Sequence, residues 1–163
     1  MVEVLDIDSM SKFDALYNKL LEAVDTKHQV GGEHWGEMKD DEGNSHYIYV
    51  KDVIDAANKT VKTENAPTNK FEEPGVARPE NVKKYAETMK SGQWDWNKSG
   101  PIYGTLWQGK YGMFDGNHRL AAARMAGLKT VPLKNVGNII DTAIANKKQG
   151  KPTVIGGVTV RTK

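Results

Sequence analysis

The sequence predicts an α+β fold: a small mixed sheet flanked by helices, with a helical arm at the N-terminus and a β-hairpin at the C-terminus. Three observations predict it. Apolar residues near the N-terminus recur at three- and four-residue steps. Two β-rich runs, 102–107 and 111–114, lead into an Ala-rich helical run and then another strand. Near the C-terminus, Gly156-Gly157 sits between two short β-rich runs, the signal of a two-residue hairpin turn. A chain of 163 residues accommodates one such domain with an arm to spare.

From the beginning, Phe13, Leu16, Tyr17, Leu20, Leu21 and Val24 form one apolar stripe, predicting a helix from Ser11 to about Lys27. Ser11 and Asp14 approximate a capping box at its start. Residues 28–46 are polar, Gly-containing and acidic, with a turn expected at Asp40-Asp41-Glu42-Gly43-Asn44. Tyr47-Ile48-Tyr49-Val50 predicts a short strand and Asp52 to Asn58 a short helix. Residues 62–77, with Pro67, Pro74 and Gly75, predict an irregular loop.

Pro79 suits the first turn of a helix, where its missing N–H removes nothing. Val82, Tyr85, Ala86 and Met89 give that helix one apolar face, and Ser91-Gly92 ends it. The runs Ile102–Trp107 and Tyr111–Phe114, joined through Gln108-Gly109-Lys110, predict a hairpin. His118 to Ala126 is helical, with Gly127 as its stop. Thr130-Val131-Pro132-Leu133 predicts a strand, placed at a sheet edge by its proline. Asn138 to Lys148 predicts a last helix, before the hairpin at 153–160. The organisation expected is an acidic segment 1–61, a loop 62–77, a core 78–136 and a basic helix and hairpin 137–163.

Composition narrows the function. The chain is 38% hydrophobic and 27% charged, ordinary for a globular protein, and holds no apolar run near the ~20 residues that span a bilayer. Its first residues are acidic, unlike a signal peptide. The absence of cysteine excludes disulfides, a thiolate nucleophile and Cys-bound zinc. A cytoplasmic location with no membrane partner is therefore expected. The net charge of +2 hides an asymmetry: residues 1–77 carry 16 acidic and 8 basic side chains, residues 78–163 carry 5 and 15. The basic half favours phosphates or nucleic acid as partners. The acidic half suits a basic protein partner, or the two halves attract each other.

The chemistry concentrates in Asp115-Gly116-Asn117-His118-Arg119, where a strand passes directly into a helix. A helix start exposes N–H groups without intrahelical acceptors and carries partial positive charge, which stabilises an anion. Gly116 lets the backbone turn and approach a ligand. Arg119 is suited to grip phosphate oxygens with two parallel hydrogen bonds, and His118 to donate a hydrogen bond or exchange a proton. Asp115 is suited to hold magnesium or orient a nucleophile. The plainer alternative is a strand–turn–helix in which Asp115 caps the helix and Arg119 lies on the surface.

From Arg78 to Leu133 the chain resembles the ParB/sulfiredoxin family. The likeness runs through Arg78-Pro79-Glu80-Asn81-Val82, Ser91-Gly92-Gln93-Trp94 and Pro101-Ile102-Tyr103-Gly104. It is densest from Phe114 to Pro132, in the order strand, D-G-x-H-R-type turn, Ala-rich helix, Ala-Gly-Leu and a strand with Val-Pro. The resemblance implies that the turn binds nucleotide phosphates through Gly116, His118 and Arg119, with Asn117 at the variable position. It departs from sulfiredoxins, whose catalytic cysteine is replaced by Asn117, so sulfinic-acid reduction is excluded. It departs also from chromosome-segregation ParB proteins, which usually carry Gly-Glu-Arg-Arg in the turn and continue into a helix-turn-helix domain. The His-bearing turn is more similar to stand-alone nucleases, NTPases and small-molecule kinases.

Other residues bear on this expectation. Arg78, beside Pro79 at a helix start, is a candidate second anion contact. Glu72-Glu73 precede it; Glu73 is a candidate general base or magnesium ligand if the loop folds over a nucleotide, and an exposed loop residue otherwise. Trp94, Trp96, Tyr103, Trp107 and Tyr111 are expected mostly in the core, with no more than one stacking on a ligand. His28, His34 and His46, with Glu33 and Glu37, match no zinc spacing and predict solvated loop. Lys147, Lys148, Lys151, Arg161 and Lys163 make a basic end that either grips a nucleic-acid backbone or aids solubility. Three functions follow as expectations. The first is magnesium-dependent phosphoryl transfer, by NTP (ATP or CTP) hydrolysis or by DNA or RNA cleavage. The second is phosphorylation of a small hydroxylated acceptor by ATP. The third is a non-catalytic nucleotide- or DNA-binding module.

Overall fold

A computed structural model describes residues 34–163. The helix expected at 11–27 lies outside these residues, as does His28. The described chain is a mixed α+β structure built on a four-stranded sheet.

The first described element is a hairpin of β1 (Trp35–Lys39) and β2 (Ser45–Tyr49). Its turn falls where Asp40-Asp41-Glu42-Gly43-Asn44 predicts one. Asp40 Oδ1 accepts from the N–H groups of Glu42 and Asn44, closing an Asx-type turn. Strand β1 itself was not expected, because Trp35-Gly36-Glu37-Met38-Lys39 buries no residue fully and shows only a weak alternation. The C-terminus supplies this hairpin with a third strand-like partner. Tyr49 N–H donates to the Arg161 carbonyl and Lys163 N–H to the Tyr47 carbonyl. Helix α1 (Val50–Thr60) follows β2 directly.

The main sheet has the order β3 (Glu64–Pro67), β6 (Thr130–Asn135), β4 (Ile102–Trp107), β5 (Lys110–Asp115). β4 and β6 are parallel and the outer pairs antiparallel. Two expectations are corrected here. The stretch 62–77 is not wholly irregular: it contributes the edge strand β3 and a single 3-10 turn at Thr68–Lys70. The Val-Pro strand β6 is interior rather than at an edge. It tolerates Pro132 because pairing with β4 begins only at Leu133, so the proline lies outside the span that β4 pairs. The hairpin between β4 and β5 forms as expected. Gln108 and Gly109 both take positive φ, 49° and 81°, and the pair Trp107–Lys110 closes a two-residue turn.

Alternation along the strands sends side chains to two cores. On one face, Ile102, Val131 and Leu133 meet Val82, Ala86 and Met89 of α2 (Pro79–Lys90) and the Ala-rich face of α4 (Asn117–Met125). Small alanines at 121–123 let α4 lie close to both α2 and the sheet. A one-turn helix α3 (Trp96–Ser99), capped by Asp95, sits between α2 and β4. On the other face, Tyr103 and Val136 meet α1, Ile139, Ile140 and Ala143 of α5 (Gly137–Lys148), and Val160. Strands β7 (Val154–Ile155) and β8 (Val158–Thr159) form the terminal hairpin around Gly156-Gly157, as expected. Strand β3 completes the main sheet, and α1 and α5 pack together in the second core. Among the described residues, no helix is long and apolar enough to cross a membrane.

Candidate functional site

β5 ends at Asp115, which lies opposite Tyr103 of β4. The chain then turns through Gly116 at φ 106°, a conformation that a side chain disfavours. A Cβ there would also stand 3.1 Å from Arg119 Nη2 and 3.3 Å from Ile102 Cγ1. Leu120 is the first residue of α4 to donate within the helix, to the Gly116 carbonyl. The N–H groups of Asn117, His118 and Arg119 therefore have no intrahelical acceptor; the N-cap is Gly116, so Asp115 does not take that role.

A second helix starts beside the first. The Arg78 N–H, at the N-cap of α2, donates to His118 Nε2 at 3.1 Å. An imidazole nitrogen that accepts is unprotonated, so this bond assigns the neutral ring its proton at Nδ1. The two helix starts share a cavity of about 440 Å³. Its polar wall includes Asp115 to Arg119 together with Arg78, Asn81 and His34, the last expected only in solvated loop, and its apolar wall includes Tyr85, Trp94 and Phe114. Trp94 packs between Tyr85 and Trp96 with ring centroids 5.0 and 5.8 Å away, so it is largely wall. Among the lining residues not anticipated are Asn81 and Tyr85. Their signal was present: they follow Arg78 at steps of three and four, hence on one helix face.

Arg119 is neither on the surface nor poised as a phosphate fork. Its side chain is only 13% exposed. Nη1 donates to the carbonyls of Ser99, Gly100 and Pro101 at 2.8, 2.6 and 2.8 Å, and Nη2 to Asp115 Oδ2 at 3.2 Å. The guanidinium thereby straps the loop after α3 to the start of α4. Burial lowers its affinity for its proton, and the neighbouring Asp115 carboxylate opposes that effect. Arginine nonetheless stays charged. The expectation of a two-pronged phosphate grip is corrected accordingly. What Arg119 gives the cavity is buried positive charge.

Among the described residues, Asp115 is the one carboxylate lining the cavity, and one of its oxygens is held by Arg119. Glu73 is not brought there. Its carboxylate lies 3.6 Å from Arg124 Nη1, and both line a separate depression with Thr68, Phe71 and Lys129. The expectation of Glu73 as base or magnesium ligand fails because Arg124, tied to the carbonyls of Thr68 and Phe71, fixes this segment at the opposite end of α4. Among the described residues, no three His, Cys, Asp or Glu side chains cluster as metal ligands.

His46, expected in solvated loop, is instead buried, with Nε2 2.7 Å from Asp40 Oδ2; Lys148 Nζ reaches the same oxygen at 3.2 Å. That contact holds the Asp40 carboxyl well below the ordinary carboxylate range, chiefly through the His46 hydrogen bond. Much of the basic C-terminal end is likewise engaged within the chain. Arg161 pairs with Asp52 and covers the Tyr49 ring, Lys163 lies over Trp35, and Lys147 donates to the Lys163 carbonyl.

No protein-family model, curated protein or solved structure matches this chain.

Proposed function

We propose that the cavity at the starts of α2 and α4 binds phosphate groups of a nucleotide or nucleic acid, as the resemblance to the ParB/sulfiredoxin family implies. The observation that carries this reading is convergence. Two helix starts meet at one polar cavity and are joined by the Arg78–His118 hydrogen bond; α4 brings N–H groups without intrahelical acceptors, while α2 adds only that of Glu80, since Pro79 has none and Asn81 donates to the Arg78 carbonyl. Helix dipoles and the buried Arg119 cation act together on an anion placed there. The Arg78 side chain, exposed at the rim, adds a further positive charge. Tyr85 and Phe114 offer an apolar surface for whatever the phosphate is attached to.

Magnesium-dependent phosphoryl transfer is the enzymatic form of this reading. Among the described residues no resident magnesium site is built: Asp115 is a single carboxylate already paired with Arg119. Magnesium fits only as an ion that arrives on a triphosphate and takes Asp115 as one ligand. A second reading, a binding module without turnover, is favoured by Asn117, which stands where the sulfiredoxins that the chain resembles carry their catalytic cysteine.

The test is titration calorimetry with ATP, CTP, inorganic phosphate and a short single-stranded oligonucleotide, each with and without magnesium, on wild type and Asp115→Asn. Removing the carboxylate removes a repulsive charge, so Asp115→Asn should bind anions more tightly without magnesium. If Asp115 shares the ion, the magnesium-dependent part of binding should fall in the same variant. Release of inorganic phosphate, a phosphorylated acceptor or a nicked strand would then separate hydrolysis, kinase activity and nuclease activity from binding alone. Absence of saturable binding by every anion defeats the proposal.

A further inference from the structure

A second concave surface lies on the α5 side of the sheet, away from the cavity at 115–119. It encloses about 600 Å³ between the β1–β2 turn, the tip of the β4–β5 hairpin and α5. Its apolar lining comes from Met38, Leu106, Trp107, Ile140 and Ile144. Leu106 and Trp107 are 54% and 61% exposed, among the few large apolar side chains that the described chain leaves in water. Placed together at a hairpin tip, they are costly to leave uncovered and are the kind of surface that marks an interaction site.

The rim selects the partner by charge. Asp41, Glu42 and Asp141 are exposed along it, and no cation pairs with Asp41 or Asp141 among the described residues. Of the two rim lysines, Lys148 is taken up by Asp40, which leaves Lys39 against three carboxylates. The chain's own residues 1–33 carry seven acidic and three basic side chains, so their charge opposes this rim. We infer that the groove receives a basic amphipathic segment of another protein. Its apolar face would cover Leu106 and Trp107, and its lysines or arginines would meet Asp41, Glu42 and Asp141.

The test uses two dye-labelled peptides of equal length with the same leucine face, one with lysines and one with glutamates on the other face. Each is titrated with the full chain by fluorescence anisotropy, at low and high salt. The lysine peptide should bind saturably and lose affinity as salt rises, and the glutamate peptide should not bind. Leu106→Ser with Trp107→Ser, and separately Asp41→Asn with Asp141→Asn, should each weaken the lysine peptide by about tenfold or more. All four positions are exposed, and circular dichroism checks that the variants remain folded. Equal binding of both peptides, no binding, or indifference to either pair of substitutions would overturn the inference. So would a dimer of the chain that the Leu106/Trp107 pair abolishes, since a second copy would then be the occupant.

Discussion

Replacing Arg119 by alanine separates two uses of one guanidinium. If it is a strap, the loss falls on stability. If it is a ligand hand, the loss falls on affinity. The substitution strips donors from three carbonyls, at Ser99, Gly100 and Pro101, and leaves Asp115 without its counter-charge. A hydrogen bond to a charged group contributes about 1.5–3 kcal/mol. Ser99, Gly100 and Asp115 are partly exposed, so water can replace some of what is lost, and the cost of burying the cation disappears too. The net destabilisation should be about 2–4 kcal/mol, at the lower side of breaking a buried pair. For a chain of this length that lowers Tm by roughly 5–15 °C. Arg119→Lys should recover only part, because a point charge cannot span three carbonyls and a carboxylate as a planar fork does. Urea denaturation gives the stability, and calorimetry at a temperature where the variant is folded gives anion affinity. A stability change within about 0.5 kcal/mol, together with a hundredfold loss of anion affinity, would refute the strap.

Gly116→Ala should destabilise by about 1–3 kcal/mol, since it places a side chain at φ 106° and crowds Arg119 and Ile102; urea midpoints measure it. His118→Gln should keep partial protection of the Arg78 amide and His118→Phe should lose it, read by hydrogen exchange, because only the former retains an acceptor. The Asp40 carboxyl is depressed in the folded chain, so its contribution is present above the unfolded value near pH 4 and is lost as pH falls below that. Asp40→Asn should therefore flatten the acid limb of stability between about pH 5 and 2, followed by urea midpoints against pH. Asp52, depressed chiefly by the Arg161 hydrogen bond, adds loss in the same direction and remains in that variant.

Much of the architecture follows from local chemistry. Pro79 and Ser91-Gly92 bound α2, Gly116 and Gly127 bound α4, and Gly156-Gly157 turns the last hairpin, because each boundary needs only its own few residues. The strand–turn–helix of 111–125 was legible for the same reason, and with it the location of the candidate site. What lay beyond reach was whatever depends on residues far apart in the chain. Pro132 argued for an edge strand, and only the distant start of β4 decides that β6 is interior. Glu73 stands near Arg78 in sequence, yet Arg124 and the carbonyls it holds carry it away from the cavity. Arg119 looked like a phosphate ligand because a guanidinium at a helix start has the right chemistry. Its use depends on where the carbonyls of Ser99, Gly100 and Pro101 lie, eighteen to twenty residues earlier. Sequence determined that a helix begins close to His118, directly after a strand and a glycine turn, with an arginine in its first turn. Tertiary packing decided that the cation faces inward and that a second helix start completes the wall, because hydrogen bonds are directional and burial is a property of the whole fold.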